Sequence, residues 1–237
     1  MKILVSLTSL IAFLLVVLAG PLYKFGIIEL GTAFTGFKFG VYAGIAALVL
    51  LALQFLLRRK TVTLGSAIMA VVLSAIAIAM PLSMMSKAKS VPPIHDISTD
   101  LVNPPEFITI APLRADAPNP VEYDGIETAE QQRTAYPELR TLSYPQPKAE
   151  LVAAVEQAVK NLGWELVNAD ASKGSVEATD TTMWFGFKDD VVVRVNDEGS
   201  ERLVDIRSKS RIGGSDLGKN AERIHTLIEE LNAVLAK

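Results

Sequence analysis

Three long runs without a charged side chain crowd into the first 80 residues, and nothing comparable follows them. Residues 3–20, 41–57 and 62–80 contain no Asp, Glu, His, Lys or Arg. About 20 apolar residues at a 1.5 Å rise cross the hydrocarbon core of a bilayer, so residues 1–86 are expected to form an anchor of three transmembrane helices. A cleaved signal peptide is the rival reading of the first run, because Lys2 supplies a basic start and small residues precede Pro21. Proline just after a cut is unfavourable and two further runs follow, which favours a retained span.

Charge divides the chain at the same place. Residues 1–86 hold six Lys or Arg and a single acid, Glu29, whereas residues 87–237 hold 17 bases and 25 acids. The Arg58-Arg59-Lys60 turn between the second and third runs is expected on the cytoplasmic side by the positive-inside rule, outweighing Lys87 and Lys89 beyond the third. The N-terminus then lies inside, residues 21–39 form a short outer loop, and the acidic part emerges outside, tied by a tether over residues 81–91. Spans without Asp, Glu, His, Lys or Arg lack the midplane charges that pumps and proton relays need, so the anchor reads as passive. Gly36, Gly40 and Gly44, and Ser66, Ala70 and Ser74, recur every four residues. Such small faces let helices approach closely, within one chain or in a homo-oligomer or with another membrane protein.

The remaining residues, 87–237, suit one soluble domain. Absence of cysteine excludes disulfides, thiol catalysis and thiolate metal sites. An excess of acids argues against nucleic acid as a partner. Prolines from Pro92 to Pro137 bar long helices and strand ladders, giving an extended arm over residues 92–137, with a short helix at 127–133 that Thr128 could cap. A helix over 148–162 carries Leu151, Val155, Ala158, Val159 and Leu162 on one face and stops at Gly163. Alternation predicts strands at 164–168, 175–180, 185–195 and 202–209, with Lys188-Asp189-Asp190 splitting the third and Met183-Trp184-Phe185 ending the strand before it. The last helix spans 216–235 with Leu217, Ala221, Ile224, Ile228, Leu231 and Leu235 buried. The order predicts an α+β two-layer sandwich, an antiparallel meander flanked by two helices.

Two segments could carry chemistry. His95, Asp96, Thr99 and Asp100 put an imidazole, a hydroxyl and two carboxylates within six residues, able to act as acid or base or to satisfy backbone donors in an irregular arm. No third nitrogen ligand is at hand, since His225 is the only other histidine and lies in a helix, so no metal and no cofactor is expected. The second segment is Arg207, Lys209, Arg211, Gly213, Gly214 and Ser215, where cations leave a strand, glycines turn and Ser215 is placed to cap the final helix. That arrangement could bind an anion, or its arginines could pair with Asp96 or Asp100 of the arm. Trp184, Phe185 and Phe187 read as core aromatics.

The arm motif His95-Asp96-Ile97-Ser98-Thr99-Asp100, with Pro104-Pro105-Glu106-Phe107, Tyr136-Pro137, Ser208-Lys209-Ser210-Arg211-Ile212-Gly213 and the run from Asp216 to Ile224, resembles the bacterial domain of unknown function 1499 family over residues 93–235. Members look membrane-attached or exported. The resemblance implies no reaction, but it joins arm and terminal turn in one signature. The expectation is a non-catalytic inner-membrane protein whose periplasmic domain binds a partner protein or an anionic envelope component. The alternative is a membrane-bound hydrolase or transferase using Asp96, Asp100 and His95 with Arg207 and Arg211.

Overall fold

The computed structural model describes residues 1–236 and divides into two compact units, Met1–Lys89 with Met183–Gly186, and Ser90–Thr182 with the chain from Phe187 onward. The first unit holds α1 (Lys2–Val17), α2 (Ala19–Lys24), α3 (Leu30–Arg58) and α4 (Leu64–Ser90). Among the described residues two helical stretches, Leu30–Thr61 and Leu64–Ser90, are long and apolar enough to cross a membrane, and Lys2–Val17 is a shorter apolar helix. Two of the three expected spans thus have helices of sufficient length and hydropathy.

Both long helices overrun their expected limits. Residues 30–39, expected in an outer loop, are helical because Ala33, Phe37, Gly40, Gly44 and Ala47 continue one buried stripe at helical spacing. The tether expected over residues 81–91 is also mostly helix. Pro81 sits inside α4, which continues to Ser90, with the Ser83 hydroxyl donating to the Met80 carbonyl at 2.8 Å one turn on.

The glycine stripe of α3 meets neighbours within the chain. A Cβ at Gly36 would fall 3.1 Å from the Leu15 carbonyl oxygen, one at Gly40 2.5 Å from Val16 Cγ2, and one at Gly44 3.0 Å from Ile78 Cγ1. Gly36 and Gly40 thus admit α1, and Gly44 admits α4 beside Ser74. At the basic turn, the buried Gln54 amide donates to Thr61 Oγ1 at 3.1 Å and the Thr61 hydroxyl to the Arg58 carbonyl at 2.8 Å, closing the hairpin.

Pro21 explains the break between α1 and α2. Lacking an N–H, it leaves the Val17 carbonyl without its helical donor. The Trp184 indole N–H donates to that carbonyl at 3.1 Å. Gly20 makes room, since a Cβ there would lie 2.7 Å from the indole nitrogen. Trp184 stacks on Phe37 at 5.6 Å, and Phe185 meets Tyr23 and Phe34 at 5.9 and 6.2 Å. Trp184 and Phe185 are therefore core of the first unit rather than of the sheet domain.

The second unit is an antiparallel sheet with helices. Its elements are β1 (Asp96–Ser98), α5 (Ile126–Ala135), β2 (Leu142–Tyr144), α6 (Lys148–Asn161), β3 (Glu165–Asp170), β4 (Ser175–Thr181), β5 (Lys188–Glu198), β6 (Glu201–Ser210) and α7 (Lys219–Leu235). The order is β1-β6-β5-β4-β3, and β2 joins β1 along the outer edge of β6. The arm thus contributes a strand of its own, despite its prolines. Lys188-Asp189-Asp190 opens β5 instead of turning, with Asp190 opposite Thr179. The connection after β4 runs from Thr182 to Phe187, so Met183-Trp184-Phe185 is no strand tail.

Alternation sorts the two faces. Val176, Ala178, Val191, Val193, Val195, Val204 and Ile206 face α6 and α7, where Leu151, Val155, Val159, Ile224, Leu227 and Leu231 complete the core. Full burial of each of these Val, Leu or Ile side chains stabilises the fold by about 1.5–3 kcal/mol. α7 begins at Lys219, so Leu217 lies outside the helix and Ser215 does not cap it. Its N-cap is Gly218 in the left-handed conformation, and the Asp216 carboxylate accepts the Gly218 and Asn220 N–H groups at 2.7 and 2.8 Å. Thr128 likewise lies buried inside α5, whose N-cap is Gly125.

Candidate functional site

The opposite face of the sheet is polar, buried and roofed by the arm. In antiparallel register Asp96 of β1 stands across from Lys209 of β6, with Ser98 across from Arg207. Side chains at directly opposed positions share a face, so the register itself brings the arm acid to the cations. Arg207 Nε and Nη2 each donate to an Asp96 oxygen at 2.9 Å, and Lys209 Nζ lies 3.1 Å from the same carboxylate. These three side chains are no more than 3% exposed.

Both cations have further partners. Arg207 gives hydrogen bonds to the Pro105 and Val121 carbonyls at 3.2 and 3.0 Å, and its guanidinium lies 5.0 and 5.4 Å from the Phe107 and Tyr123 ring centres. Lys209 pairs with Asp124 at 2.6 Å. His95 Nε2 sits 3.2 Å from the other Asp124 oxygen, and its main-chain carbonyl accepts the Ser210 N–H and the Asn220 amide. Burial, with the Asp96 carboxylate as second cause, pushes the Tyr123 phenol up to about 12.

Arg211 and Asp100 go elsewhere. Arg211 grips Asp190 of β5 with Nε and Nη2, both at 2.8 Å, and Asp190 also accepts Arg114 at 3.1 Å and the Thr179 hydroxyl at 2.7 Å. Asp100 accepts the Val102 and Asn103 N–H groups and pairs with Arg194 at 2.9 Å. Thr99 bridges β6 from the arm, accepting the Ile206 N–H at 2.9 Å and donating to Asp205 at 3.3 Å. Gly213, at φ +98°, offers its carbonyl to the Asn119 amide at 2.9 Å. Gly214 is exposed, and the Ser215 hydroxyl accepts the Leu217 N–H at 3.3 Å.

Several members of this network carry no local sequence motif. Glu177 accepts three successive arm N–H groups, from Ile108, Thr109 and Ile110, at 3.1, 2.8 and 2.8 Å. On the helix side of the sheet, Arg223 of α7 holds Asp180 and Asp189 at 2.8 and 2.7 Å and bonds Asn220. Gln132 of α5 bonds both main-chain groups of Ser98. The one signal was charge at even spacing within strands: Asp190 and Arg194 stand four residues apart across three valines, and Asp205, Arg207 and Lys209 alternate with Ile206 and Ser208. No group of three His, Asp or Glu side chains able to hold a metal ion occurs among the described residues.

The roof and the strand it locks, from Asp96 through α7, coincide with a family unit. The family model of a protein of unknown function, DUF1499, matches residues 96–231. The chain belongs to the DUF1499 family. The match starts at Asp96, the acid that clasps Arg207, so arm and sheet form one DUF1499 domain. None of the curated proteins matches the chain.

Proposed function

We propose that this DUF1499 protein is a non-catalytic, multi-pass protein of the bacterial inner membrane that presents its α+β domain on the periplasmic side to bind a partner protein. The anchor is taken to comprise three spans, with α1 and α2 together forming the first, the N-terminus cytoplasmic and the Arg58–Lys60 turn inside. Supporting this are the two long apolar helices and the basic residues at the hairpin between them.

The observation that carries the binding role is the internal neutralisation of Asp96, Arg207 and Lys209. An anionic envelope component would have to displace carboxylates that already satisfy both cations. A hydrolase or transferase built on Asp96 would need that carboxylate released from two partners. Gly213 and Gly214 remain exposed, with Arg211, Ile212 and Ser215 half-buried beside them. This turn, its charge already balanced, is the surface assigned to a protein partner.

Photo-crosslinking the intact protein in its native membrane tests the assignment. A crosslinker at Gly214 is expected to capture one discrete protein that is not captured from Glu229 on α7. Equal capture from both positions, or none from Gly214, would remove the turn as a partner surface.

A further inference from the structure

The arm leaves part of its sheet face open. Where residues 103–109 pass over β3, β4 and β5, a cavity of about 360 Å³ remains inside the second unit. Pro104 and Pro105 wall it and Val192 contributes an apolar patch. Asn168 reaches it through an irregularity of the edge strand. The β3–β4 register shifts between Leu166 and Asn168, while Leu166 and Ala169 stay against the helix-side core and Val167 lies against Phe107 and Ile110. A bulge re-aims a side chain in this way and is often found beside a binding site.

Hydrogen-bonding capacity around the cavity is unused. Among the described residues the side chains of Asn103, Glu106, Asn168 and Ser175 bond to no protein group. Arg194 bonds only through Nη2, to Asp100 at 2.9 Å and Asp205 at 2.8 Å, and its Nε is buried without a partner.

Charge balance selects the ligand class. Arg194 already lies between two carboxylates, Glu177 is satisfied by three N–H groups, Lys173 stands 3.6 Å from Asp170, and Glu106 adds a further negative charge. An incoming anion would find no uncompensated cation. Hydroxyl groups both donate and accept, matching the paired donor and acceptor of each asparagine amide and the Ser175 hydroxyl. The volume lies near the lower end for small-molecule sites, about one sugar ring in size.

We propose that this cavity binds a neutral polyhydroxylated ligand, one sugar residue in size, through Asn103, Asn168 and Arg194. The site depends neither on membrane topology nor on a protein partner. The test is saturation-transfer NMR on the full chain in lipid nanodiscs free of sugar-headed detergent, with glucose, N-acetylglucosamine and, as an anionic control, succinate. A neutral sugar is expected to give a saturable signal and succinate none. Asn168→Ala is expected to weaken sugar binding about tenfold, the loss of one good hydrogen bond. Asn103→Ala, at an exposed position whose side chain bonds nothing in the protein, gives the same reading where Asn168→Ala fails to fold. No saturable sugar signal, a signal indifferent to these variants, or saturation by succinate instead would overturn the proposal.

Discussion

Asp96 shows how much depends on a single buried side chain. It holds Arg207 through two bonds and Lys209 through a third contact, all out of solvent. Removing one partner of a buried ion pair leaves the others uncompensated, at a cost of about 3–5 kcal/mol. Asp96→Ala is therefore expected to destabilise the domain by about that amount in thermal or denaturant unfolding, and Asp100→Ala, whose partner Arg194 keeps Asp205, by clearly less. Tyr123 makes the second residue-level prediction. Its phenol is raised from 10.0 to about 12, so the folded protein holds that proton more tightly than the unfolded chain. The contribution is intact below pH 10 and is lost as pH climbs through about 12. Tyr123→Phe should remove one tyrosine titrating near pH 12 from the ultraviolet absorbance profile and reduce the loss of stability above pH 10.

Elements differ in how openly their residues announce them. α6 and α7 were legible as apolar stripes, and β3, β4 and β6 as alternation, because a two-sided sheet with one aliphatic face writes its period into the chain. The start of β5 was not. Lys188-Asp189-Asp190 has turn composition, and its strand conformation depends on Arg223, Arg211 and Arg114 arriving from distant segments to neutralise the aspartates. β1 and β2, of three residues each, carry no detectable period, and the prolines around β1 conceal it further. The candidate site was half legible for the same reason. Arg207 and Asp96 stood in recognisable motifs, whereas Asp190, Glu177 and Gln132 are paired only by the fold. In the first unit, close approach at Gly40 makes its own prediction. Gly40→Ile would drive atoms into Val16 and the Ala12 carbonyl and is expected to lower the thermal stability of the purified full chain, whereas Gly65→Ala, with open space around it, should not.

On the scale of the whole molecule, two parts of opposite character share one chain. The first 86 residues are apolar and basic at their turns, and the remainder is acidic and carries the DUF1499 domain. The roofing arm covers most of the polar face of that domain with residues of the same family unit, and leaves the cavity beside Asn168 and Arg194 open. In the proposed membrane location, what the domain meets is decided by the side of the membrane that it faces. Alkaline phosphatase, active only outside the cytoplasm, fused after Lys60 and separately after Lys237 measures this directly. An inactive reporter at Lys60 and an active one at Lys237 are expected, while activity at Lys60 with none at Lys237 would contradict the proposed topology.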